Sequence, residues 1–180
     1  MSRLYAPLFT RFFIPLLLAS ALVPAPAQEE EATTDAPPQS ELEEWRSTLR
    51  YGINEELLEL LPQLASQKVR ELEEDIVDLY TDSPDTGVQT ACLDFFTALD
   101  SYEARDESLE KLTDYEDLPT ELVQAILRYL QIDEPDLSRR ERDLIRDIAS
   151  QKRVEEIVPP ALSVLALDHE DPSFFIELYE

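Results

Sequence analysis

From Leu42 onward the apolar residues of this chain return at intervals of three and four, and only two glycines, Gly52 and Gly87, occur in 180 residues. Strands need an alternation of two, with glycine or Asn-Gly at their tight corners. A three-to-four spacing instead puts apolar side chains on one face of an α-helix. The chain is therefore expected to be all-α.

Ser40-Glu41-Leu42-Glu43 reads as a capping box heading a stripe of Leu42, Trp45 and Leu49. Asn54 is expected to cap a second stripe of Leu57, Leu58, Leu60, Leu61 and Leu64. Pro62 lies inside that stripe and, lacking a backbone donor, should kink or divide the helix. Val69, Leu72, Ile76, Leu79 and Tyr80 form a third stripe. Asp85 is the expected N-cap of the cleanest one, with Val88, Ala91, Cys92, Phe95, Phe96 and Leu99 on one face. Leu109 and Leu112 mark a short fifth helix, and Pro119 opens a sixth bearing Leu122, Val123, Ile126, Leu127 and Leu130. A second capping box, Ser138-Arg139-Arg140-Glu141, heads a helix with Leu144, Ile145 and Ile148. Val158, Ala161, Leu162 and Leu165 make an eighth stripe, and Asp171-Pro172 opens the last. The count is about nine short helices.

The first residues read differently. Arg3 and Arg11 precede Phe12 to Val23, a run of 12 uncharged and mostly apolar residues, and Ala25-Pro26-Ala27 follows. Charged start, short apolar centre and small-residue exit describe a signal peptide over residues 1–27, with Ala21 as an alternative cleavage point. The run is shorter than the roughly 20 residues of a membrane span, so a retained anchor is the weaker reading and no stable span is expected after cleavage. Residues 28–40, rich in Glu and Pro, should form a flexible tether to a helical domain over 41–180. The expected location is exported, either periplasmic or secreted.

Composition narrows the partners. Asp and Glu number 40 against 15 Lys and Arg, a formal charge of -25 with pI near 4.1, while 43% of residues are hydrophobic. Such a surface repels nucleic acid and favours cations and basic partners. The same acidity, with only Lys68, Lys111 and Lys152 as lysines, also suits a high-salt habitat. Cys92 stands alone, so no internal disulfide or thiolate metal site can form.

The stripes repeat. Ala91, Leu93, Phe95 and Phe96 return 34 positions later as Ala125, Leu127, Tyr129 and Leu130, and Asp85-Thr86 falls opposite Pro119-Thr120. Leu79 matches Leu112 at 33, while Leu109, Leu112 and Pro119 match Leu162, Leu165 and Pro172 at 53. The excess in the longer shift is assigned to an inserted helix from Asp136 to Gln151. Each unit is two helices that cannot bury their stripes alone, so units should stack. The stretches LRYGINEELLELLPQL (Leu49 to Leu64) and EEDIVDLYTDSPDTGVQTACLDFFTAL (Glu73 to Leu99) resemble exported bacterial HEAT-repeat proteins. The resemblance covers about Leu42 to Tyr179 and implies a right-handed α-solenoid of stacked antiparallel helix pairs, with a contact surface and no catalytic residues. Val88 is followed by Gln89 where such units usually carry Arg.

Sites for chemistry are scarce. His169, in Asp168-His169-Glu170-Asp171, has no second His or Cys to complete a zinc site. Asp82 to Gly87 echoes a calcium loop, yet Leu93 stands where the bidentate Glu belongs. No catalytic, cofactor or metal site is assigned. Arg139, Arg142, Arg146 and Arg153 fall along one helix face, near Arg140 and Lys152. Either they pair internally, as Asp136–Arg140 and Arg139–Asp143, or they form a docking stripe for an acidic partner.

The expected function is a non-catalytic exported scaffold that binds a protein or peptide, with Trp45, Tyr51, Phe95, Phe96 and Tyr129 as anchor types. The alternative is an acidic, salt-adapted or low-affinity cation-binding envelope protein. Residues 172–180 are apolar nearly all round. They are expected to tuck into the preceding pair, to mediate self-association, or to mark a longer array.

Overall fold

The computed structural model describes residues 37–132, 136–150 and 155–168, together with Phe175. Eight α-helices form among them: α1 Gln39–Tyr51, α2 Asn54–Gln67, α3 Glu73–Asp82, α4 Thr86–Leu99, α5 Arg105–Leu112, α6 Thr120–Tyr129, α7 Arg139–Ser150 and α8 Val158–Leu167. Short 3₁₀ turns, Arg70–Leu72 and Tyr115–Asp117, precede α3 and α6. There is no strand among the described residues, and no helix there is long and apolar enough to cross a membrane. The expected ninth helix lies outside the described residues except for Phe175.

The helix ends show which local signals govern. Asp85 caps α4 as expected, its Oδ1 accepting from the Val88 N–H at 3.0 Å. Ser138 and Glu141 form the expected reciprocal box: the Ser138 N–H donates to Glu141 Oε2 at 2.7 Å, and the Glu141 N–H to Ser138 Oγ at 3.4 Å. Ser40 does not cap α1. The helix starts one residue earlier, and the Pro38 carbonyl accepts from Glu41 and Leu42. Helical structure therefore reaches into the expected tether. Asn54 is not the cap of α2 either. Glu56 reaches back to the Ile53 N–H at 3.1 Å, and Asn54 Nδ2 donates instead to Asp85 Oδ2 at 2.9 Å. Pro62 does not divide α2, which runs on to Gln67. Both Pro62 and Leu58, whose carbonyl loses its donor, are exposed, so solvent offsets the lost bond.

α2 and α4 end alike. Lys68 and Asp100 take left-handed backbone, φ 55° and 49°. Each is followed by a bond from the next N–H back into the helix, Val69 to the Leu64 carbonyl and Ser101 to the Phe96 carbonyl. These are Schellman ends, usually built with glycine.

Packing follows a regular order. α2 packs on α4, α4 on α6 and α6 on α8, while α1 packs on α3. Consecutive partners α1 and α2, α3 and α4, α5 and α6, and α7 and α8 also touch. α4 is enclosed on more than one side, burying Val88, Cys92, Leu93, Phe95, Phe96 and Leu99. Phe95 and Phe96 meet edge to face at 5.3 Å, and Tyr129 of α6 tilts against Phe96 at 6.2 Å. Each ring pair contributes about 1 kcal/mol beyond its burial. The segment expected to be an insertion is instead a full partner: α7 packs along α8, and Tyr115 and Arg105 tie it to the preceding pair.

A glycine at position 68 would relieve the left-handed strain without touching the core, at some cost in unfolded-chain entropy. Lys68→Gly is expected to raise stability by roughly 0.5–1 kcal/mol. The reading is a higher urea midpoint at unchanged slope, and an unchanged or lower midpoint would contradict the strain.

Candidate functional site

The three described arginines of the expected stripe, Arg139, Arg142 and Arg146, do not share one environment. Arg139 is exposed at the first turn of α7 and makes no hydrogen bond or ion pair among the described residues. Arg142 turns inward: its Nε meets Asp168 Oδ2 at 2.5 Å and its Nη2 donates to the Leu137 carbonyl at 3.1 Å. Asp168, whose side chain is only 5% exposed, also accepts from the Leu137 N–H at 3.1 Å. Arg142 thereby pins the start of α7 to the end of α8. Arg146 pairs with Asp143 at 3.4 Å within α7. Arg153 lies outside the described residues, as do Lys152 and His169. Of the two internal pairs expected, Asp143 goes to Arg146 rather than Arg139, and Asp136 takes Arg105 on its carbonyl at 3.1 Å.

The aromatic anchors divide sharply. Trp45, Phe95, Phe96 and Tyr129 are core residues. Tyr51 alone among them faces outward, 83% exposed, beside exposed Ile53 in the α1–α2 turn.

A cleft of about 770 Å³ opens between α5 and α7. One wall carries Asp106, Leu109, Glu110 and Thr113, which share one face of α5 and its end. The other carries Ser138, Arg140, Glu141 and Leu144. Arg105 bridges residues of the two walls, reaching Asp106 at 3.3 Å and Glu141 at 3.7 Å. Leu109 is buried and Leu144 half-buried, so the floor is apolar. Sequence reading did not find this cleft, because it depends on how far apart α5 and α7 sit. The one local signal was Asp106 and Glu110, a turn apart on a helix with little apolar surface.

Several groups that carry chemistry elsewhere are buried here. Cys92 is fully buried in α4, and burial pushes its thiol from 9.0 up to about 12, which disfavours the reactive thiolate. Burial likewise raises Tyr80 from 10.0 to about 12, against a lowering bond from Ser108 Oγ at 3.2 Å. Tyr129 is raised further, chiefly by burial, while its hydroxyl accepts from the Ala104 N–H. Glu107 adds its charge to both phenols, and its Oε2 is buried without a hydrogen-bond partner. In the turn that echoed a calcium loop, Ser83 Oγ accepts from the Asp85 N–H at 3.2 Å and Asp85 caps α4. Among the described residues no group of three or more His, Cys, Asp or Glu is placed to hold a metal ion.

Removing Arg142 would strand the Asp168 carboxylate in a nearly dry site. Arg142→Ala is expected to cost about 1–3 kcal/mol, discounted because the arginine is itself partly exposed. A loss below a few tenths, by urea unfolding, would place Arg142 among the free surface arginines. The buried thiol and phenols set an alkaline limit. Below about pH 8 they are protonated in both states; above it the unfolded chain releases protons first, so stability should fall as pH rises toward 12. Urea midpoints at about pH 8 and about pH 10.5 test this, and equal midpoints would refute it.

No protein-family model matches the chain, and neither a curated protein nor a solved structure matches it significantly.

Proposed function

We propose that this chain is a non-catalytic, exported helical-repeat scaffold that binds a protein or peptide partner. In this reading the pairs α1/α2, α3/α4, α5/α6 and α7/α8 stack as a right-handed, HEAT-like α-solenoid. The order of helix packing carries it: α2 meets α4, α4 meets α6 and α6 meets α8, while side-chain bonds such as Arg46–Asp75, Ser108–Tyr80 and Gln124–Glu156 join each pair to the next. Nearest-neighbour contact of that kind is how stacked repeats bury stripes that no pair covers alone. Buried Cys92, Tyr80 and Tyr129 support a framework role rather than chemistry. The charged start, short apolar centre and small-residue exit of residues 1–27 support export to the periplasm or medium.

A stacked array opens from its ends. Native-state hydrogen exchange should show α1 and α2 opening at lower free energy than α4 and α6. Uniform exchange by global unfolding alone would argue against the array. The binding function is tested by crosslinking the full chain in the exported fraction, purifying the captured protein and measuring its re-association. A defined complex at micromolar or tighter Kd is expected. Failure of every captured protein to rebind in pure form would overturn the scaffold reading.

A further inference from the structure

We infer that the cleft between α5 and α7 is the docking site for a basic, leucine-bearing peptide segment of a protein partner, a reading that rests on the scaffold function proposed above. Its walls are unequally engaged. Glu141 is held by Ser138 and Arg105. Glu110, by contrast, makes no side-chain hydrogen bond or ion pair among the described residues, and Asp106 meets only its chain neighbour Arg105, with 89% of its side chain exposed. These two carboxylates stand one helical turn apart, with Leu109 between them on the same face.

That arrangement matches a lysine or arginine side chain. The aliphatic stem lies along Leu109 and Leu144, and the cationic head comes between Asp106 and Glu110. A neighbouring leucine of the peptide extends the contact over the same floor. The volume, about 770 Å³, falls in the range of ligand-binding clefts. The formal charge of -25 draws a basic partner toward the surface from a distance. Arg140, exposed on the opposite rim and without an ion pair among the described residues, opposes a second cation and so favours one orientation of the peptide.

The probe is a fluorescein-labelled peptide of alternating lysine and leucine, followed by anisotropy against the full chain at about 0.1 M salt. Neutralising the cleft with Asp106→Gln and Glu110→Gln together should weaken binding about tenfold or more. The same charge removed from exposed α1, by Glu43→Gln and Glu44→Gln, should change it less than about twofold, whereas Arg140→Glu should tighten it. Leu144→Ala should weaken it with helicity by circular dichroism unchanged. Equal losses from the α1 and α5 pairs would mean diffuse attraction to an acidic protein and overturn the site. Binding of a glutamate–leucine peptide in place of the lysine one would overturn the basic occupant. If the lysine peptide fails while a crosslinked partner rebinds in pure form, the cleft assignment falls and the scaffold function stands.

Discussion

Burial of α4 between α2 and α6 is the constraint on which the remaining packing depends. A helix with apolar residues on one stripe needs one neighbour; α4 buries Val88, Cys92, Phe96 and Leu99 on one side and Gln89 and Leu93 on another. It must therefore be covered from more than one direction. α2 and α6 supply that cover with Leu61, Leu64, Ile126 and Leu127, all almost wholly inaccessible. α6 repeats the demand, with Leu122, Val123, Ala125, Ile126, Leu127 and Tyr129 buried, and α8 answers it. Each second helix thus creates the need for the next.

Polar contacts fix the register of that sequence of helices. Asp75 receives Arg46 Nε and Arg50 Nη2, each at 3.0 Å, which locks α1 to α3. Arg70 pairs with Glu73 and donates to the Leu99 carbonyl at the end of α4, and Ser101 donates to the same Glu73 at 2.9 Å. Exposed ion pairs of this kind contribute at most about 1 kcal/mol each. Their value is directional, since a bond to a helix-terminal carbonyl has one correct partner where apolar contact has many. The arginines of a strongly acidic chain are spent here first.

Periodicity was legible because it reports burial directly. The stripes through Leu49, Ile76, Phe96, Ile126, Ile148 and Leu165 are the core. Asp85 and the Ser138–Glu141 box were legible because a cap is a local event. Ser40 was misread for a local reason, since Pro38, two residues earlier, already offers its carbonyl to Glu41 and Leu42; Asn54 was misread for a tertiary one, since Asp85, 31 positions away, takes its amide. Arg142 could not be told from Arg139 by spacing, because what separates them is Asp168 on a different helix. The α5–α7 cleft was invisible for the same reason.

The position of that cleft follows from the short apolar stripe of α5. α5 has eight residues and buries only Ser108, Leu109 and Leu112, so it presents too little apolar surface to draw α7 against it. Point contacts hold it instead: Ser108 to the Tyr80 hydroxyl, Lys111 to the Thr81 carbonyl and over the Tyr80 ring at 5.1 Å, and Arg105 across to Asp136. Directional bonds can support a helix at a distance, whereas apolar packing closes whatever gap it meets. Exchanging one kind of support for the other leaves a polar-walled opening with a leucine floor between α5 and α7.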